Sequence, residues 1–299
     1  MRHLRSLALA VKALAVLALA VFSLGSCRTT PRAAERAPFF FIQMADPQFG
    51  FFTANADFAR ETANFERAIA AANRLRPAFV IVSGDLTHKM GDPAQIAEYR
   101  RIVATLDRAI PLYGVAGNHD LALPLSEASL AAYRKTFGPD RYTFQSRGML
   151  GIVVNSSLVK EPAAVPAETA EQETWLRATL QAARAGGYDR IMLFQHHSWF
   201  LARADEPDQY YNLPIATRRA YLDLLQNAGV SHVFAGHYHR NSLGRDGTLE
   251  MVTTGPVGRP LGDDPSGLRV VMVDGTRVWH RYYSLDSLPA TLAPASAVP

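Results

Sequence analysis

Cysteine is nearly absent. The 299 residues contain one, Cys27, so no disulfide can form within the chain. A large charge excess is missing too. The formal net charge is +4, but Arg2, Arg5 and Lys12 are the only charged residues before Cys27. Taking those three from the 31 basic residues leaves 28 against 27 acidic, a net of +1. Bulk charge therefore gives no reason to expect a nucleic-acid partner. No internal repeat and no second core pattern can be found, so one domain is expected. A long membrane-spanning run is also lacking. Ala13–Leu24 is apolar but too short to cross a bilayer unaided.

That run follows a positive start, as in a signal peptide. Leu24-Gly25-Ser26-Cys27 then resembles a bacterial lipobox. The resemblance implies cleavage before Cys27, lipid on its sulfur, and an extracytoplasmic protein anchored to the membrane through Cys27. Residue 28 is Arg and not Asp, which implies no inner-membrane retention. The expected layout is a signal peptide over 1–26, a Pro- and Ala-rich tether over 27–38, one domain over 39–288, and a disordered Ala/Pro tail over 289–299.

Within the domain, short apolar runs alternate with helical patterns. Strands are expected at Phe39–Met44, Phe79–Val82, Ile110–Ala116, Ile191–Gln195 and Val230–Ala235. Helices are expected at Asp57–Arg76, from Asp92-Pro93 through Leu106, and at Leu125–Phe137, Glu168–Ala185 and Ile215–Gln226. Arg141–Gln145 and Met149–Val154 read as a hairpin. Glu250–Thr253, Leu268–Val273 and Val278–Tyr283 make a β-rich end. Alternation followed by β-structure suggests two packed sheets with helices outside, an α/β fold.

Each of the five strands named first ends in a polar, metal-capable residue. They lead to Asp46, Asp85, Asn118, His196 and His237, with His239 two residues further on. In open α/β sheets ligands bind just past the carboxyl ends of the strands. Any one of these pieces has an ordinary reading: Gly117-Asn118-His119-Asp120 alone could be a turn. A His-x-His such as His237-Tyr238-His239 turns both imidazoles to one side only if it is extended. Together, five such strand ends describe a site.

The order Asp46…Gly84-Asp85…Gly117-Asn118-His119-Asp120…His196…Gly236-His237-Tyr238-His239 resembles the calcineurin-like metallophosphoesterase superfamily. Ala45-Asp46-Pro47-Gln48-Phe49-Gly50, Gly267-Leu268-Arg269-Val270-Val271 and the ending at His280–Asp286 resemble its subgroup of calcineurin-like phosphoesterase domain-containing Ser/Thr phosphatases. The resemblance implies a four-layer αββα sandwich of two mixed β-sheets flanked by helices. It also implies two divalent metal ions and hydrolysis of phosphate monoesters by a water activated between them. By the same resemblance Asp85 bridges both ions, Asp46 and His239 bind the first, and Asn118, His196 and His237 bind the second. His119 would meet the phosphoryl group or protonate the leaving oxygen. Oxygen and nitrogen donors without sulfur favour Mn²⁺, Fe or Zn²⁺ over Ca²⁺.

The first motif departs from the superfamily's usual Asp-x-His, because Gln48 stands where that pattern has His. Gln48 is expected to offer a carbonyl oxygen to the first metal. Asp120 or His88 is expected to fix the His119 tautomer. Tyr210, Tyr211 and Arg259 are candidates for contact with a phosphorylated substrate, Arg259 through bidentate phosphate binding. His197 is read as facing away from His196, with either packing or a part in the site left open. His232 and His280 are read as structural. Phosphodiesterase activity, or a non-catalytic ligand-binding lipoprotein on the same fold, are the alternatives. The sequence leaves oligomeric state and substrate open.

Overall fold

The computed structural model describes residues 37–122, 124–275 and 277–292. The signal peptide, Cys27 and nearly all of the tether lie outside the described residues. No helix among those described is long and apolar enough to cross a membrane.

Among the described residues eleven strands form two sheets. The first sheet has the order β11-β10-β1-β2-β3: Arg277–Ser284, Gly267–Asp274, Phe39–Met44, Val80–Val82 and Leu112–Gly114. Its β1, β2 and β3 are parallel, and β10 and β11 add antiparallel. The second has the order β4-β5-β6-β7-β9-β8: Tyr142–Ser146, Met149–Val153, Arg190–Phe194, Val230–Ala235, Leu249–Thr253 and Ser242–Asp246. Four of these run parallel between antiparallel edges β4 and β8.

The period-2 alternation of β1 sets the layers. Phe40, Ile42 and Met44 face outward onto Phe65 and Ile69 of α1 (Ala59–Leu75) and Tyr99 and Ile102 of α2 (Pro93–Val103). Phe39 and Phe41 face inward, where they meet Phe194, Phe234 and Val252 of the other sheet. That sheet's outer face takes Leu176 and Leu180 of α5 (Pro166–Ala185) and Leu222 and Leu225 of α6 (Ile215–Asn227). The result is helix, sheet, sheet, helix.

The expected elements are present with small shifts at their ends. Asp92 caps α2 by accepting from the Ala94 and Gln95 amides, with Pro93 at the first turn. The third helix, α3 (Glu127–Phe137), starts at Glu127 and not Leu125, because Ser126 forms a capping box with Ser129. Two elements were not expected. The five-residue α4 (Ser156–Lys160) is too short for a periodic pattern, and β8 is a polar edge strand without β-branched residues. Leu288 and Leu292 pack on the outer cluster of the first sheet; residues 293–299 of the expected tail lie outside the described residues.

Arg134 of α3 clasps Asp140 at 2.8 Å and Glu168 of α5 at 2.7 Å. Arg134 lowers the Glu168 carboxyl from the usual 4.5 to about 2, and Arg141 adds to it. A depressed carboxyl stabilises the fold above its unfolded pKa, and that gain is lost as pH falls through the folded one. Glu168→Gln is therefore expected to cost about 1 kcal/mol at neutral pH. The gap from the unmodified protein should close between pH 4.5 and 2. Urea midpoints across that range check it; a constant gap would remove the assignment.

Candidate metal centre

All the parallel strands of each sheet point the same way, so their carboxyl ends meet at one end of the sandwich. Gln43, fully buried, ties those ends together. Its amide donates to Ser83 Oγ at 2.9 Å and to the Ala235 carbonyl at 3.1 Å, and its oxygen accepts from Thr254 Oγ1 at 2.7 Å. Immediately beyond, the backbone is forced into the left-handed region at Asp46 (φ 48°), Gln48 (39°), Asp85 (49°), His237 (66°) and His239 (53°). Residues with side chains rarely adopt it, and such strain gathers at functional sites. Gly117 is required for close approach, since a Cβ there would lie 2.0 Å from the Asp85 amide nitrogen.

Two groups of metal-capable side chains result among the described residues, each with donor atoms within 4.8 Å of one another. One is Asp46, Asp85 and His239; the other is His196, His197 and His237, and all six are buried. Asp85 joins them, with Oδ1 3.3 Å from His196 Nε2. Asn118 Oδ1 is 2.9 Å from the same nitrogen. The His237-Tyr238-His239 segment is not extended, so its imidazoles go to different groups.

The imidazoles are fixed by carbonyls, which can only accept. His196 Nδ1 donates to Ser83 at 2.8 Å, His239 Nδ1 to Arg259, His237 Nε2 to Tyr210 at 3.3 Å, and His119 Nδ1 to His88 at 3.0 Å. The other nitrogen of each ring is left for the site. Burial holds His237 down to about 3 and His239 to about 4, so both are neutral and fit to ligate. Burial would also lower His196, but the Asp85 carboxylate outweighs it and raises His196 to about 9. A protonated His196 thus supplies cationic charge between Asp46 and Asp85. A metal ion would take over that charge and release the proton.

Asp120 does not orient His119, contrary to expectation. Its carboxylate accepts from the amides of Leu86 (2.8 Å), Thr87 (3.1 Å) and Gly117 (2.9 Å), clamping the Asp85 and Asn118 loops together. The carbonyl of His88, and not its ring, fixes the His119 tautomer. The His88 ring instead stacks on His119 with centroids 4.9 Å apart. His197 does not face away from the site. The chain bends after Gln195, and its ring lies 4.3 Å from that of His237. Ser156 of α4 holds this bend, its Oγ accepting from the His196 and His197 amides. Sequence reading missed Ser156, whose helix carries no periodic signal.

The Tyr210 ring lies 4.8 Å from that of His237 and is 60% exposed, at the rim. Tyr211 sits behind it, 4.9 Å from Tyr238. Lys160 pins their loop by donating to the carbonyls of Gln209, Tyr210 and Asn212. Arg259 reaches the centre through its carbonyl; its guanidinium lies over the Phe51 ring at the rim.

The donor set fits two divalent cations. Besides the two groups, Gln48 Oε1 is buried without a hydrogen-bond partner, while its amide nitrogen is taken by His88 Nδ1 at 3.2 Å. A buried carbonyl oxygen that no donor meets suits a cation.

Residues 41–241 match the family model described as calcineurin-like phosphoesterase. The chain belongs to the calcineurin-like phosphoesterases. This phosphoesterase is 39% identical over 269 residues to the serine/threonine-protein phosphatase CPPED1 of Pongo abelii, covering 85% of this chain and 86% of that one. Among solved structures, purple acid phosphatase PPD1 from yellow lupin seeds has a TM-score of 0.65 at 12% identity, over 85% of this chain and 52% of that one. A dimetal phosphatase from Danio rerio has a TM-score of 0.55 at 16% identity, over 82% and 99%. Both share the fold.

In this phosphoesterase Asp46, Gln48, Asp85 and His239 would hold one ion, and Asp85, Asn118, His196 and His237 the other. Gln48→His would exchange a neutral carbonyl oxygen for imidazole nitrogen, a better donor to mid-row divalent ions. Affinity for the first ion should rise about tenfold, a ligand-level effect. Calorimetric titration of the metal-free protein with Mn²⁺ and Zn²⁺ checks this; unchanged affinity and stoichiometry would count against Gln48 as a ligand.

Proposed function

We propose that this phosphoesterase is a phosphomonoesterase working with Mn²⁺, Fe or Zn²⁺. The observation that carries the reading is His119, a fixed imidazole beside both ligand groups that belongs to neither. Its amide donates to Asp85 Oδ1 at 2.9 Å and its Nδ1 is committed to a carbonyl, so Nε2 is the nitrogen left to face the leaving group, with a proton to give when the ring is the imidazolium. Such a group suits a leaving oxygen. When bound, the two ions would neutralise the phosphoryl oxygens and lower the pKa of a water. The protein's share is to fix four imidazole tautomers, keep His237 and His239 neutral, bury Asp46 and Asp85, and set Tyr210 at the mouth. The relatives' name points to phosphorylated serine and threonine. The exposed Tyr210 rim suits small phosphate monoesters equally well.

The test is metal content together with turnover of p-nitrophenyl phosphate and its bis-ester, with and without added Mn²⁺. Two ions per chain and faster monoester turnover are expected. Faster bis-ester turnover would make it a phosphodiesterase. One ion or none, with no turnover in excess Mn²⁺, would make it a binding protein.

The Leu24-Gly25-Ser26-Cys27 motif further supports a lipid on Cys27 and a place outside the cytoplasm. A mature protein whose mass lacks the lipid would overturn that part.

A further inference from the structure

One cavity lies away from the metal centre. It has a volume of about 1080 Å³ and lies along the edge strand β11, reaching across to the second sheet. Its position in the strands separates it from the ligands. On β7 it takes Ser231 and His232, at the start of the strand whose far end leads to His237. On β10 it takes Met272, which pairs with Phe40 at the start of β1, while Asp46 follows that strand's other end.

Its lining is basic. Arg190, Arg245, Arg277 and Arg281 face one carboxylate, Glu250. Glu250 is already engaged: His280 Nε2 donates to one oxygen at 2.8 Å, and Arg245 takes the other. Arg277 pairs with Asp274. Arg281 is exposed and lies over the Tyr283 ring, and Arg190 has the Asp189 carboxylate beside it in the chain. Arg190 Nε is moreover buried without a hydrogen-bond partner, and burial pushes its guanidinium pKa down. A buried N–H donor is costly unless an acceptor meets it. The remaining wall is apolar, made by Val270, Met272, Trp279, Tyr283 and Leu292. Volume and lining are those of a small-molecule site.

We propose that this cavity binds a single-chain amphiphile with an anionic head group. The head meets Arg190, and the chain lies across the β11 edge against Met272, Trp279 and Leu292. Charge complementarity selects the head and the apolar wall selects the tail.

Laurate, which carries no phosphate ester, is the probe. The purified protein is titrated below the micellar range by calorimetry, with Trp279 fluorescence as a second readout and Trp279→Phe to assign it. Saturable 1:1 binding is expected. Arg190→Gln should weaken it at least about tenfold, the effect of a lost charged hydrogen bond. Exposed Arg281→Gln should weaken it several-fold. Both variants should keep their melting temperature and p-nitrophenyl phosphate turnover. Uncharged dodecyl maltoside should bind poorly, and Asp85→Asn should bind laurate unchanged. Equal affinity in both arginine variants, equal binding of the maltoside, or loss in Asp85→Asn would each overturn the proposal. So would no binding at all, or binding only after removal of residues 293–299, which would assign the cavity to the chain's own end.

Discussion

Asp85→Asn is expected to lower metal content from two ions per chain to one or fewer and to cut kcat/KM about a thousandfold. The substitution keeps volume and shape, so what changes is charge. Asp85 is buried, with 1% exposure; it belongs to one ligand group, and its Oδ1 lies 3.3 Å from His196 of the other. A carboxylate can bridge because it has two anionic oxygens; an amide has one neutral oxygen. The loss of a cation's charge stabilisation is worth several kcal/mol. About 4 kcal/mol corresponds to the thousandfold figure. The fold should survive, since the Asn oxygen can still accept from the His119 amide and Gly84 and Gly117 are untouched. Elemental analysis and steady-state rates decide it. Two ions retained, with turnover within tenfold of the unmodified protein, would show that Asp85 is not the bridge.

The site could be read from sequence because its residues follow apolar strands and precede turns, where local pattern fixes position. Parallel strands then bring Asp46, Asp85, Asn118, His196 and His237 to one end without further information. What could not be read depends on how the turns bend. His197 enters the centre only because Ser156 draws two successive amides onto one hydroxyl, and Ser156 sits in a helix of five residues. The role of Asp120 is hidden for the same reason. It could have faced the neighbouring His119 ring, but two amides of the Asp85 loop and one of its own loop reach it first. Arg269 was legible only as part of a family resemblance. In the fold it is a buried connector: Nε donates to Thr254 Oγ1 at 2.8 Å and Nη1 to His280 Nδ1 at 2.9 Å. Through Thr254 it meets Gln43, so polar groups between the sheets run from Glu250 almost to the metal ligands. No periodicity predicts such a chain, because each member lies on a different strand or loop.

His119→Ala is expected to leave both ions bound and to lower kcat by an amount set by the leaving group. The ring is constrained from several directions. Its backbone amide donates to Asp85, its Nδ1 donates to the His88 carbonyl, and its face stacks on the His88 ring, which rests against Phe51 at 4.9 Å. Such a ring has one nitrogen left for chemistry. If Nε2 gives a proton to the departing oxygen, its value depends on how badly that oxygen needs one. A nitrophenolate leaves readily without help, so the loss with p-nitrophenyl phosphate should be only about tenfold. An alkoxide does not, and with an alkyl phosphate the loss should reach a thousandfold, within the usual range for general acid catalysis. KM should move little for either ester. Added imidazole should restore part of the rate for the alkyl ester. Equal losses for the two esters would mean that His119 grips the phosphoryl oxygens throughout the reaction and gives no proton. Loss of an ion would mean that it supports Asp85 and has no separate chemical role.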